Sequence, residues 1–104
     1  MATIHFSVEK LLDDYAEIVI KSLPDKFDSH KFIFKLMEQQ EKEYIKTLFE
    51  FIGCDSGVFR EFHRHIGVYL SEHQAILKIN KVDISHSMNV KGYESDNALW
   101  KKKS

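Results

Sequence analysis

Residues 56–72, SGVFREFHRHIGVYLSE, decide the fold class more than any other part of this sequence. Apolar side chains recur in this segment at spacings of three, four, three and one, which is the pattern of a helix that buries one face. These apolar residues are Phe59, Phe62, Ile66, Tyr69 and Leu70. The residues between them include Arg60, His63, Arg64 and His65. The segment therefore predicts a helix with one face in the core and a basic, titratable face that is available to a partner.

More helices are predicted on the N-terminal side of this segment. Residues 8–22 carry one apolar stripe with Ser7 as the N-cap, and Pro24 ends the helix because proline cannot continue the hydrogen-bond ladder. Two more stripes follow within residues 32–52, with polar residues between them. One long helix fits this pattern, and so do two helices that meet near residues 39–41. The break is favoured, because Gln40 would otherwise lie in the buried stripe.

The last third of the sequence predicts extended chain and short elements. Residues 75–82 alternate between apolar and polar side chains, which favours a strand, and a continued helix is the alternative. Residues 82–93 are typical of extended chain, with a turn near residues 91–92. Residues 95–100 predict a final helical turn, and residues 101–104 a flexible tail.

These elements predict a mainly α fold, a compact bundle of four to five helices with a short C-terminal strand or hairpin. Residues 1–104 are expected to form a single helical domain, which is an ordinary length for one domain. Four glycines and one proline are too few for the many turns of a β-sandwich or barrel. The order of helices followed by a strand is also that of a winged helix-turn-helix domain, which is the variant we consider.

The cysteine content and the lack of long apolar segments indicate the cellular compartment. Cys54 is the single cysteine, so no intramolecular disulfide can form, and this suits a reducing compartment. No apolar signal core or membrane-length apolar run is present in the sequence, so we expect a cytoplasmic protein without a membrane partner.

Catalytic, cofactor and metal sites are not predicted. The sequence lacks HExxH, CxxC, GxSxG, GxxxxGK[ST] and GxGxxG patterns. His63 and His65 are two residues apart, which places them on opposite sides of a helix and prevents them from chelating one ion. We therefore expect no catalytic residues, no cofactor and no metal, and a protein that is not an enzyme.

Surplus aromatic residues predict a protein-interaction or self-association module, as a homodimer or with a protein partner. The predicted buried stripe of the segment before residue 56 consists of Tyr44, Ile45, Leu48, Phe49 and Ile52. Phe51 lies outside this stripe, and Phe34 lies outside the stripe of the preceding helix. Exposed apolar rings of this kind mark contact surfaces. We expect the contact to use Phe34, Phe51 and part of the first helix.

The alternative is DNA binding by a winged helix-turn-helix regulator whose recognition helix spans residues 57–72. The residues that would contact nucleic acid are Arg60, His63, Arg64, Lys78 and Lys81. Residues 1–56 have a net charge of −4 and residues 57–104 a net charge of +3, so the basic excess lies in this half. The overall net charge of −1 argues against a strong duplex binder.

Overall fold

The computed structural model describes residues 3–103, and it contains both helices and a sheet. In chain order the elements are α1 (Phe6–Lys21), β1 (Lys26–Asp28), α2 (Ser29–Gln39), α3 (Glu41–Phe49), α4 (Val58–Glu72), α5 (Gln74–Leu77), β2 (Ile79–Met88) and β3 (Glu94–Lys102). Helices account for 54% of the residues and strands for 22%.

The prediction of a mainly α bundle is wrong, because the fold is α+β. The three strands form one antiparallel sheet in the order β1-β3-β2, so the C-terminal strand lies in the middle. Strands β2 and β3 are ten and nine residues long, and they pair along their length as a hairpin. The C-terminal third is therefore a large part of the architecture, where the sequence predicted only a short strand or hairpin.

The helical predictions before residue 56 are largely confirmed. The first helix begins two residues earlier than predicted, and His5 caps it in place of Ser7, since the His5 ring accepts a hydrogen bond from the Ser7 backbone N–H. The break at Gln40 is confirmed, because its backbone leaves the helical region with φ −128° and ψ 50°. Helix α4 is also confirmed as a helix over nearly the predicted segment.

The C-terminal predictions are wrong in three places. The strand predicted at residues 75–82 begins with the short helix α5, and Lys78 makes the change to β2 with a left-handed backbone at φ 57°. The predicted final helical turn is part of β3. The predicted tail is also strand at Lys101 and Lys102, and the Lys102 ammonium donates to the Leu23 carbonyl at 2.7 Å; Ser104 lies outside the described residues.

The hairpin turn, in contrast, lies where the sequence predicted it. The Asn89 side-chain oxygen accepts hydrogen bonds from the backbone N–H groups of Lys91 and Tyr93, and Gly92 provides a positive φ of 83°. Asparagine and glycine favour this geometry, because one closes a local hydrogen-bonded ring and the other tolerates positive φ.

The core lies between the helices and the middle of the sheet. Its largest fully buried side chains are Trp100, Phe27, Phe32, Phe62, Leu12, Leu36, Ile66, Leu70, Ile79, Val8 and Val19. Trp100 of β3 is 1% exposed, and its indole N–H donates to the Ser29 hydroxyl at 2.9 Å. A buried tryptophan needs such a partner for its polar edge. The first residue of α2 thus holds the central strand.

Polar side chains join the hairpin to the start of α2. The Asp28 carboxylate caps α2 by accepting from the Lys31 backbone N–H at 2.8 Å, and it accepts from the hydroxyls of Ser85 and Ser87 at 2.7 Å each. The backbone N–H of His30 donates to the Asn97 side-chain oxygen at 2.9 Å. We call Asp28, His30, Ser85, Ser87 and Asn97 the junction network.

The protonation of Asp28 reflects these contacts. Burial alone would raise the pKa of Asp28, but hydrogen bonds from Ser87, the Lys31 backbone and Ser85, together with nearby His30, hold it below its usual value. The carboxylate is therefore ionised at neutral pH, and its hydrogen bonds are of the stronger, charge-assisted kind.

We expect Asp28→Ala to lower the free energy of unfolding by about 1–2 kcal/mol, because the α2 cap and the acceptor of two hydroxyls are both removed. Urea denaturation followed by circular dichroism measures this, and hydrogen exchange should accelerate at the β2 amides. Asp25→Ala is the matched control, since Asp25 precedes the same strand and is exposed. Equal stability of the two variants would contradict the role of the junction network.

Candidate functional site

A cleft of about 410 Å³ lies between α4 and the sheet. We call it the α4 cleft. Its lining comes from α4 (His63, Arg64, Gly67, Val68, Ser71), from the strands (Lys81, Asp96, Asn97, Ala98, Trp100) and from α2 (Ser29, His30, Ile33). This volume lies within the usual range of ligand-binding pockets, and the lining combines apolar walls with several hydrogen-bond donors.

Gly67 opens this cleft, because it removes a side chain from the middle of α4. A Cβ built at Gly67 meets no described atom within 4 Å, so no other described element approaches the helix closely at this position. Glycine in a helix interior costs about 1 kcal/mol relative to alanine. Gly67 therefore leaves open space in the α4 wall of the cleft.

Two of the predicted nucleic-acid contacts share one exposed face of α4. Arg60 and Arg64 are four residues apart and both are exposed. The Arg64 guanidinium donates to the Glu61 carboxylate at 3.0 Å, which raises the pKa of Arg64 and lowers that of Glu61. A guanidinium has five N–H donors, so Arg64 keeps donors for a further partner.

The predicted lysines are placed differently from one another. Lys81 on β2 lines the α4 cleft, and it is exposed. Lys78 lies at the α5–β2 junction and lines a separate hollow with Ile76 and Lys102. The structure therefore brings Lys81, but not Lys78, to the same cleft as Arg64.

His63 is uncharged at neutral pH, so it lacks the positive charge that was predicted for a nucleic-acid contact. Burial lowers the pKa of His63 to about 4, and nearby His30 adds to the effect. Its Nε2 is hydrogen-bonded to the buried Tyr44 hydroxyl, whose own pKa is raised by burial. Because its pKa is raised, Tyr44 keeps its proton at neutral pH, and the contact is a hydrogen bond between a neutral hydroxyl and a neutral imidazole. His63 therefore joins α3 to α4 and adds no positive charge at neutral pH.

The two predicted interaction residues have different environments. Phe34 on α2 is 41% exposed and lines a groove with Met88 of the hairpin. Phe51 is 3% exposed and stacks on Phe62 with ring centres 5.5 Å apart. Phe51 is thus a core residue, and the prediction that it offers a contact surface is wrong for this reason.

Helix α3 and the turn that follows it expose the apolar face that the sequence predicted to be buried. Tyr44 and Thr47 are buried together with Phe51, whereas Ile45, Phe49 and Ile52 are 55%, 68% and 61% exposed. We call these last three residues the α3 stripe; they were predicted to lie in the core. Both faces of this segment are apolar at helical spacing, so periodicity alone did not show which one is buried.

The remaining chemistry-bearing residues are dispersed. Within residues 3–103, no three His, Cys, Asp or Glu side chains converge to hold a metal ion. Cys54 is exposed in the loop between α3 and α4, and His65 accepts a hydrogen bond from the His5 backbone N–H at 2.9 Å. None of the helices in this described range is long and apolar enough to cross a membrane.

Comparison with known proteins adds no family. No protein-family model matches this sequence, and no curated protein or solved structure shows significant similarity to it. The α3 stripe and the α4 cleft are the structural features that bear on function.

We expect His63 to make stability depend on pH. An unfolded histidine binds its proton near pH 6.5 and folded His63 only near pH 4, so acidification favours the unfolded chain across this window. The free energy of unfolding should fall by up to about 3 kcal/mol between pH 6.5 and pH 4. Urea titrations at each pH test this. His63→Gln should lose this part of the pH dependence, and identical profiles for the two proteins would contradict it.

Proposed function

We propose that this chain is a non-enzymatic self-association module that forms a homodimer through the α3 stripe. The observation that supports the proposal is the exposure of three large apolar side chains at positions i, i+4 and i+7. Scattered single apolar residues are normal on a protein surface, whereas an ordered row of them usually marks a contact. An apolar row can pair with a second copy of itself, since no charge needs to be matched.

The energetics favour weak association. Burial of each such side chain contributes roughly 1.5–3 kcal/mol, whereas the loss of free motion on association costs about 4 kcal/mol or more. A dimer buries six such side chains, three from each copy, but each is already partly covered in the monomer, so the gain exceeds the cost only modestly. We expect a dissociation constant in the micromolar range or weaker, so the dimer should depend on protein concentration.

We expect wild-type protein to change from monomer to dimer as its concentration rises, as measured by sedimentation equilibrium. Phe49→Asp should remain monomeric, because a carboxylate at the stripe must be desolvated on association. The matched control is Ile76→Asp, since Ile76 is 69% exposed and lies on α5, away from α3. It should dimerise like wild type. A wild type that stays monomeric at several hundred micromolar would contradict the proposal, and so would a Phe49→Asp dimer.

Nucleic-acid binding through α4 is the second candidate function. The supporting observation is the common exposed face of Arg60 and Arg64, with Lys81 on the other wall of the α4 cleft. An α-helix of this size fits the major groove of duplex DNA, and arginine is the side chain most often used to contact guanine and phosphate. The negative charge of Asp96 opposes the attraction of this surface for phosphate groups, but its carboxylate is hydrogen-bonded to the His86 ring at 2.8 Å.

The second candidate predicts salt-sensitive binding to a fluorescein-labelled 20-base-pair DNA duplex, followed by fluorescence anisotropy. Binding should be measurable at 50 mM salt and weaker at 200 mM, because it releases counterions. The Arg60→Ala/Arg64→Ala double variant should bind at least tenfold more weakly. The matched control is Lys42→Ala/Lys46→Ala on α3, which removes two positive charges from exposed positions elsewhere. Equal losses of DNA affinity in both variants would show that binding depends on net charge alone, and this would contradict a specific binding surface on α4.

A further inference from the structure

We infer that Gly67 is a position of close approach, at which the sugar–phosphate backbone of duplex DNA enters the α4 cleft. This inference rests on the second candidate function and adds to it the contact that positions the duplex. The first observation is the open space at Gly67, where a Cβ would meet no described atom within 4 Å. A missing side chain lets another backbone approach a helix more closely than any other residue would allow.

The walls of the cleft offer donors that suit phosphate oxygens. Arg64 and Lys81 supply positive charge, and the hydroxyl of Ser71 supplies a further donor. Two acidic groups lie nearby: Asp96 in the lining and Glu61, which is bonded to Arg64. His86 is bonded to Asp96 and lies 3.3 Å from Glu94, and these carboxylates raise the pKa of His86. The positive side chains thus retain donors, and Asp96 is already engaged.

Both walls of the cleft are attached to the rest of the fold. One wall is α4, whose residues Phe62, Ile66 and Leu70 are fully buried in the core. The other wall is the hairpin, which the junction network attaches to α2 through Asp28 and Asn97. A groove between two rigid walls can accept a strand of regular geometry without rearrangement, which lowers the entropic cost of binding.

The shape of the surface favours a duplex as the occupant over a small anion. Arg60 does not line the cleft, yet it lies on the same exposed face of α4 as Arg64, one turn nearer the N-terminus. A small ligand in the cleft would leave Arg60 without a role, whereas a duplex extends over several turns of a helix. A major-groove contact by Arg60 and a phosphate contact by Arg64 beside Gly67 would fix both position and register.

Filling the cleft at Gly67 tests the inference. Gly67→Leu places an apolar side chain in the open space, and Gly67→Ala places a single methyl group there. Neither change meets described protein atoms at Cβ, and both improve helix propensity, so the melting temperature should equal or exceed that of wild type. Affinity for the labelled 20-base-pair duplex should fall at least tenfold for Gly67→Leu and two- to threefold for Gly67→Ala.

Ala75→Leu is the matched control, since Ala75 is exposed on the neighbouring helix α5 and the change places the same leucine side chain there. It should bind the duplex like wild type. If wild type binds and Gly67→Leu binds equally well, the close approach at Gly67 is wrong while DNA binding stands. If wild type itself does not bind the duplex at 50 mM salt, both the second candidate function and this inference are wrong. If duplex binding depends on Gly67 but not on Arg60, the proposed major-groove contact by Arg60 is wrong.

Discussion

The carboxylate of Asp28 is the constraint on which the arrangement of the helices and the hairpin depends. It caps α2 and accepts hydrogen bonds from two serines that lie 57 and 59 residues further along the chain. The next residue, Ser29, accepts the indole N–H of Trp100 across 71 residues. Two adjacent residues thus connect β1, α2, β2 and β3. Because the hairpin is attached at this point, the wall that it forms opposite α4 is fixed.

The α3 stripe and the α4 cleft arise from different departures from simple helical packing. Helix α3 and the turn after it carry apolar residues on two faces, and the core accepts only the face that includes Tyr44 and Phe51. Helix α4 has a single strong buried face, and a glycine interrupts its outer surface. The first departure suits an apolar contact, and the second suits the approach of a polar backbone. One small chain thereby presents two surfaces of distinct chemistry, and a dimer would present two copies of the cleft.

The sequence predicts the helices well and the sheet poorly, for physical reasons. Apolar stripes repeat over several turns and locate α1, α2 and α4, and the unfavourable burial of Gln40 locates the break before α3. The hairpin lacks such a signal, because Ser85, Ser87 and Asn97 fill positions that an ordinary sheet gives to apolar residues. Their partners, Asp28 and His30, are distant in sequence. Arg60, Arg64 and Lys81 were found from local charge, whereas the burial of Phe51 depends on Phe62 and could not be read from spacing.

Cys54 gives the molecule a useful experimental property. It is the sole thiol of the chain, it is exposed, and it lies two residues after Ile52. A maleimide-linked spin label attached there reports on its surroundings without any engineered cysteine. Dipolar coupling between two such labels, one on each copy, would give a distance across a symmetric assembly, and the same label in a lone chain would give none.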